Sequence, residues 1–134
     1  MAAYHALLGF TGWTLFLVAL VFGYRGFRLL TGTPINSWSR GAKSVDDPVL
    51  MKRVEDAHAN ALENLPIFAV LVLSAAAMGK LDAINALAPY VLYARVGQSL
   101  VHLSGTNQLQ VLIRATFWSV QLGLFFLMLV KLFA

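Results

Sequence analysis

The sequence predicts an all-α integral membrane protein, an antiparallel four-helix bundle of membrane-spanning segments, on three observations. First, 59% of the 134 residues are hydrophobic and only 12% are charged, where a soluble domain carries about 25% charged residues. With a mean hydropathy of +0.72, lipid must serve as part of the solvent. Second, four apolar stretches are each long enough to cross a hydrocarbon core about 30 Å thick, which takes about 20 residues. Third, the links between them are short and polar, which favours antiparallel neighbours. At this length a single domain over residues 1–134 is expected.

The first span covers residues 3–30, with no Lys, Arg, Asp or Glu from Met1 to Tyr24. It reads as a span and not as a secretory leader, because no basic residue precedes the apolar run and no small-residue cleavage site follows it. A polar connection, Thr31 to Asp47, leads to Pro48; Asp47 is the expected N-cap, with proline at the first helical position. The second span, 48–78, corresponds to roughly 45 Å of helix, so its polar early turns should project from the bilayer. Gly79-Lys80 breaks the chain. The third span, 82–103, holds Pro89, tolerable within a membrane helix. Ser104 to Asn107 forms a short loop before the fourth span, 108–133.

Charge sets the expected orientation. The termini and second loop carry Lys80 and Lys131, whereas Arg25, Arg28, Arg40, Lys43, Lys52, Arg53 and Arg114 surround loops one and three. The positive-inside rule then puts loops one and three in the cytoplasm. The same bias accounts for the net charge of +4 without nucleic acid as a partner. The chain has no cysteine, which excludes disulfides and any protein thiol nucleophile.

Polar residues inside spans are costly and mark function or a water-filled cavity. On the second helix Arg53, Asp56, Asn60 and Glu63 fall within a stripe about 80° wide, joined by Asn64, while Glu55 and His58 point the other way. On the third, Arg95, Gln98, Ser99 and His102 share a face. On the fourth, Gln110, Arg114, Trp118 and Gln121 do, and the first helix ends in Tyr24, Arg25 and Arg28. Topology brings all four sets towards the cytoplasmic leaflet. There guanidinium groups outnumber Asp56 and Glu63, which suits an anionic amphipathic ligand held by bidentate arginine and amide contacts.

Plainer readings compete. Arg28, Arg40, Lys43 and Lys52 fit residues that snorkel to the interface, Arg53 and Asp56 fit an i, i+3 surface pair, and the second-helix stripe fits a structural inter-helix network. His58 fits a structural hydrogen-bonding residue. Trp13, Trp38 and Tyr4 read as interface anchors, and Gly9, Gly12 and Gly23 as packing positions. No metal is expected, since no two histidines stand at helical spacing.

The segment Arg53-Val-Glu-Asp-Ala-His-Ala-Asn-Ala-Leu-Glu-Asn-Leu-Pro-Ile-Phe68, with its core Ala57-His58-x-Asn60-x-x-Glu63-Asn64 and Pro66, closely resembles the signature of the MAPEG family (membrane-associated proteins in eicosanoid and glutathione metabolism). Arg95-Val96 and Arg114 also fit, and the resemblance spans the whole chain. It implies a homotrimer with glutathione as co-substrate, bound between subunits near the cytoplasmic side. The glutathione-binding set it implies is Arg25, Arg28, Arg53, Asn60, Glu63, Asn64, Arg95, Gln98, His102 and Trp118. Within it, Asn60 and Glu63 would meet the peptide backbone and amino end, and Arg25 and Arg53 the carboxylates. Arg114 is the implied catalytic residue, stabilising the thiolate, since an adjacent cation lowers a thiol's pKa. A lipophilic electrophile or lipid hydroperoxide would arrive from the membrane lipids. Gln98 and His102 stand where many eukaryotic members have His and Tyr, and Asp56 where a basic residue is common. The chain therefore looks like a general glutathione transferase or peroxidase, expected in a bacterial inner membrane. The competing expectation is a non-enzymatic lipid-binding or scaffold protein of the same fold. A transporter is disfavoured, as no broken-helix pair or internal repeat is visible.

Overall fold

The computed structural model describes residues 1–41 and 43–134, and every regular element among them is helical. The elements are α1 (Ala2–Leu30), a 3₁₀ turn (Ile35–Trp38), α2 (Val49–Ala77), the single turn α3 (Leu81–Ile84), α4 (Ala88–Ser104) and α5 (Gln108–Phe133). Among the described residues, α1, α2 and α5 are the three helices long and apolar enough to cross a membrane.

The buried positions of α1 are Ala3, Ala6, Phe10, Thr14, Leu17 and Val21. Their three- and four-residue spacing is one continuous stripe. Thr14 sits in it without an orphaned hydroxyl because its Oγ1 donates to the Phe10 carbonyl at 2.9 Å. The stripes of α2 (Val54, Ala57, Ala61, Phe68, Leu71, Val72, Ala75) and α5 (Gln121, Phe125, Met128, Leu132) meet it. Phe68 links them, its ring centroid 5.7 Å from Phe10 and 6.1 Å from Phe125. Small residues on α2 permit close approach to α1. α4 packs chiefly on α5 and α1, and more lightly on α2.

The other faces stay apolar and uncovered: Phe22 is 80%, Leu30 90% and Phe133 85% exposed. A soluble monomer rarely carries so extended an apolar surface; hydrocarbon is its natural contact.

Two helices stop where glycine lets the chain turn left-handed. Gly79 has φ +66, with Lys80 N–H donating to Ala75 O at 2.8 Å and Gly79 N–H to Ala76 O at 3.1 Å, a Schellman closure. Gly32, at φ +103, ends α1 in the same pattern through Thr33 and Arg28. At the other end of the chain, Asn107 and Gln110 form a reciprocal capping box that starts α5.

The structure differs from the sequence reading in two places. The third segment is divided: α3 ends at Ile84 and α4 begins at Ala88, with Pro89 in its first turn and not in its interior. Pro89 has no N–H to donate to Asn85 and its ring crowds that carbonyl, so a continuous helix would be broken there. The 17 residues of α4 amount to about 26 Å, short of a full crossing alone. Second, Pro48 is the N-cap of α2, and Asp47 makes no cap. The Asp47 carboxylate is drawn instead to Trp38 and Lys43.

Candidate functional site

Two polar assemblies stand out against this apolar background. The first is buried between α4 and α5. All four residues of the third-helix stripe, Arg95, Gln98, Ser99 and His102, are buried, as is Gln121 of α5. Arg95 has no exposed surface. Its Nε donates to Gln121 Oε1 at 3.1 Å, its guanidinium lies 5.6 Å from the Phe10 ring centroid, and its Nη2 is buried without a hydrogen-bond partner among the described residues. Gln121 Nε2 in turn donates to Gln98 Oε1 at 2.9 Å.

The α2 stripe borders this assembly. Arg53 Nη1 reaches the Leu103 carbonyl at the end of α4, 3.4 Å away, and its Nε is buried and unpartnered. Asp56 Oδ2 lies 3.9 Å from His102 Nε2, an ion pair whenever the imidazole is protonated. His102 is also within electrostatic reach of Arg53 and Arg114, and Glu63 is the carboxylate that acts on Arg95. Arg114 is half-buried, with its own Nε buried and unpartnered. Asn64 Nδ2 donates to the Asn60 carbonyl at 3.1 Å. Trp118 is largely exposed on α5.

The structure thus brings Arg53, Asp56, His102 and Arg114 into one neighbourhood, with Arg95, Gln98 and Glu63 adjoining it. The acidic members face outwards: the Asp56 side chain is 71% exposed and Glu63 is exposed. Two apolar clefts lie elsewhere. One of about 520 Å³ between α1 and α4 is lined by Gly9, Gly12, Trp13, Phe16, Leu92, Tyr93 and Val96. Another of about 460 Å³ runs between α2 and α5, along Pro66, Val70, Leu122 and Phe125 among others.

Arg25 and Arg28 belong to a second assembly at the α1–α2 end. Arg25 Nη2 donates to Glu55 Oε1 at 2.8 Å, and its guanidinium sits 5.7 Å from the Trp38 ring centroid. Lys43 bridges Glu55 at 3.4 Å and Asp47 at 2.6 Å, and Trp38 Nε1 donates to Asp47 Oδ1 at 3.1 Å. Burial alone would raise the Asp47 carboxyl, but hydrogen bonds from Lys43 and Trp38 outweigh it and hold the group below the ordinary carboxylate range. The hydrogen bond to Asp47 is the main cause that raises Lys43 above its usual value. Arg28 turns to Tyr24 Oη at 2.8 Å and Thr33 Oγ1 at 3.2 Å. Sequence reasoning placed Gln121 on the right face but gave it no part in the site. It also saw Glu55 only as pointing away; the four-residue interval between Lys43 and Asp47 was the available signal for this anchor.

A helical chain with extended apolar outer walls, three helices able to cross a membrane and buried guanidinium donors on three helices is built as a membrane protein. The comparison with known families says which kind: the chain belongs to the MAPEG family, whose model matches residues 1–134. That membership fits a membrane protein with a glutathione transferase-like role. Neither curated proteins nor solved structures include a match to it. No cluster of His, Asp and Glu suited to a metal occurs among the described residues.

Proposed function

We propose that the protein is a membrane-bound glutathione-dependent transferase that conjugates glutathione to lipophilic electrophiles and also reduces lipid hydroperoxides. The observation that carries this reading is the set of buried N–H groups on Arg53, Arg95 and Arg114 that find no acceptor among the described residues. A buried unsatisfied donor costs about 1–3 kcal/mol, more when charged. Three such groups in one region point to an acceptor that arrives with a ligand. Glutathione offers two carboxylates and a thiol to these arginines, and an α-amino group to Asp56 or Glu63.

In this mechanism Arg114 stabilises the thiolate, which a chain without cysteine must take from its ligand. The thiolate sulfur attacks an electrophilic carbon delivered from the bilayer; the new C–S bond displaces a leaving anion or, in an addition, leaves a carbanion that is protonated. With a hydroperoxide the sulfur attacks the terminal oxygen. The O–O bond breaks, an alcohol leaves after protonation, and a second glutathione converts the sulfenic acid to glutathione disulfide and water.

Asn60, Asn64, Gln98, His102 and Trp118 complete the proposed binding set. Arg25 and Arg28, engaged at the α1–α2 end, would join it only by exchanging their present partners. A homotrimer is part of the proposal. Glu63 lies 14 residues into α2, about 21 Å along the axis, and an exposed carboxylate at that depth needs a neighbouring subunit to shield it from lipid. The proposal includes four crossings, with α3 and α4 together making the third, and the excess of Lys and Arg around loops one and three favours a cytoplasmic position for them.

The test is titration of the purified protein with glutathione, following the thiolate band and turnover of an aryl halide. Binding with turnover, slowed at least 10-fold by Arg114→Ala in intact oligomers as a shift of one or more thiol pKa units implies, supports the reading. Binding without turnover on any electrophile or peroxide selects the scaffold alternative, and absence of binding defeats glutathione altogether.

A further inference from the structure

We propose that Gln121 of α5 is a specificity-determining residue: by bridging Arg95 and Gln98, it compels these two side chains of α4 to present only hydrogen-bond donors to the ligand. The inference rests on the glutathione reading above and assigns part of that site its selectivity.

The argument is a chain of obligatory roles. An arginine side chain has five N–H donors and no acceptor. Whatever atom of Gln121 meets Arg95 Nε at 3.1 Å must therefore be the carbonyl oxygen. That choice turns the Gln121 amino group towards Gln98, 2.9 Å away. An amino group only donates, so Gln98 must answer with its own carbonyl oxygen. The Gln98 amino group is then left for the ligand, beside the unpartnered Nη2 of Arg95. The orientation of both carboxamides is thus dictated by the charge of Arg95 and does not depend on how the amides are drawn. Burial makes the arrangement hard to undo: Arg95 is 0%, Gln121 1% and Gln98 6% exposed, so no bulk water stands ready to exchange for either bond. A ligand group approaching from this side meets donors and must supply acceptors. A carboxylate qualifies; an ammonium is refused. One carboxylate of glutathione is accordingly directed to Arg95 and Gln98, and its ammonium is left to Asp56 or Glu63 on α2.

Gln121→Glu reverses the polarity at nearly constant shape. A carboxylate beside Arg95 stays ionised and accepts from both sides, so Gln98 must turn over, donate to it, and show its carbonyl oxygen to the ligand. The same change supplies the buried guanidinium with a counter-ion.

The experiment uses the whole chain in lipid nanodiscs, with glutathione and glutathione diethyl ester as probes and thermal unfolding measured in parallel. Wild type is expected to bind glutathione in clear preference to the diester. Gln121→Glu is expected to lose roughly 10- to 100-fold in glutathione affinity, the scale of one or two charge-assisted hydrogen bonds, with an apo midpoint at or above that of wild type. Stability and affinity moving in opposite directions is a result that a merely structural glutamine would not produce. Gln98→Glu, which puts an acceptor at the same point, is expected to lose affinity to a similar degree, and gives a second reading where the first variant does not fold. Wild-type affinity in either folded variant overturns the assignment while leaving glutathione binding intact. Failure of wild type itself to bind glutathione overturns the functional reading and this assignment with it.

Discussion

Replacing Arg95 by methionine should cost the empty protein little and the liganded protein a great deal. The guanidinium is fully buried, and no carboxylate among the described residues lies within ion-pairing distance of it. Beyond the longer-range pull of the Glu63 carboxylate, its compensation is one hydrogen bond to a neutral amide and one aromatic face. Those contribute about 1.5–3 kcal/mol and about 1–2 kcal/mol respectively. Against them stands the desolvation of an ion, several kcal/mol even after relaxation. The terms nearly cancel, so Arg95→Met should leave apo stability within about 2 kcal/mol of wild type, where breaking a well-paired buried ion pair costs about 3–5 kcal/mol. Wild type at 100 times the dissociation constant of glutathione should gain about 2.7 kcal/mol from binding, and the variant should gain almost none. The assay is denaturant or thermal unfolding in one detergent, with and without glutathione. An apo loss above about 3 kcal/mol, with glutathione stabilisation retained, would refute the reasoning and make Arg95 a structural residue.

Two further outcomes follow from the ends of the helices. Because the Asp47 carboxyl is held low, its contribution to anchoring residues 31–48 is complete above the unfolded carboxylate range near 4 and fades as pH falls through the depressed folded value. Lys43, held high, contributes fully below about 10.4 and fades as pH rises through its raised value. Amide exchange in that connection should therefore be slowest between those limits, and Asp47→Asn should abolish the acid-side change. Invariant exchange across the acid range in wild type would contradict this. At Gly79, φ +66 with open space around the α-carbon, alanine should lower stability by about 1 kcal/mol through backbone strain alone, and asparagine by less; equal midpoints for all three proteins would count against the Schellman closure.

How far the site was legible in the sequence depended on whether its cause was local. The stripe Arg95, Gln98, Ser99, His102 could be read because helical spacing fixes which side chains share a face, and burial of all four follows from that face turning inwards. The break at Gly79 and the loop ending at Asn107 were legible for the same reason: a turn is made by its own residues. Pro89 was misplaced because a proline inside an apolar run is compatible both with a kinked helix and with a new start. The break lies beside a long-range contact invisible in the sequence: Asn85 Oδ1 accepts from the Ala3 amide at 3.0 Å, across 82 residues of chain. The partner of Arg25 was likewise invisible, since Glu55 and Arg25 meet only when the 31–47 connection has folded back to bring Lys43 and Trp38 beside them.

The division between buried bases and exposed acids carries the last step. Within one protomer Arg53, Arg95 and Arg114 hold unspent donors, while Asp56 and Glu63 on the same flank look out of the protein. In water such acids would be ordinary. On an otherwise apolar flank beside Leu62, Ile67 and Val70, they are tolerable only where a further polar surface covers them. A ligand with anionic ends and an ammonium group answers part of that demand, and a second copy of the chain the remainder. If the proposed anion site draws on side chains of more than one copy of the chain, glutathione binding should rise and fall with oligomer integrity when detergent dissociates the subunits.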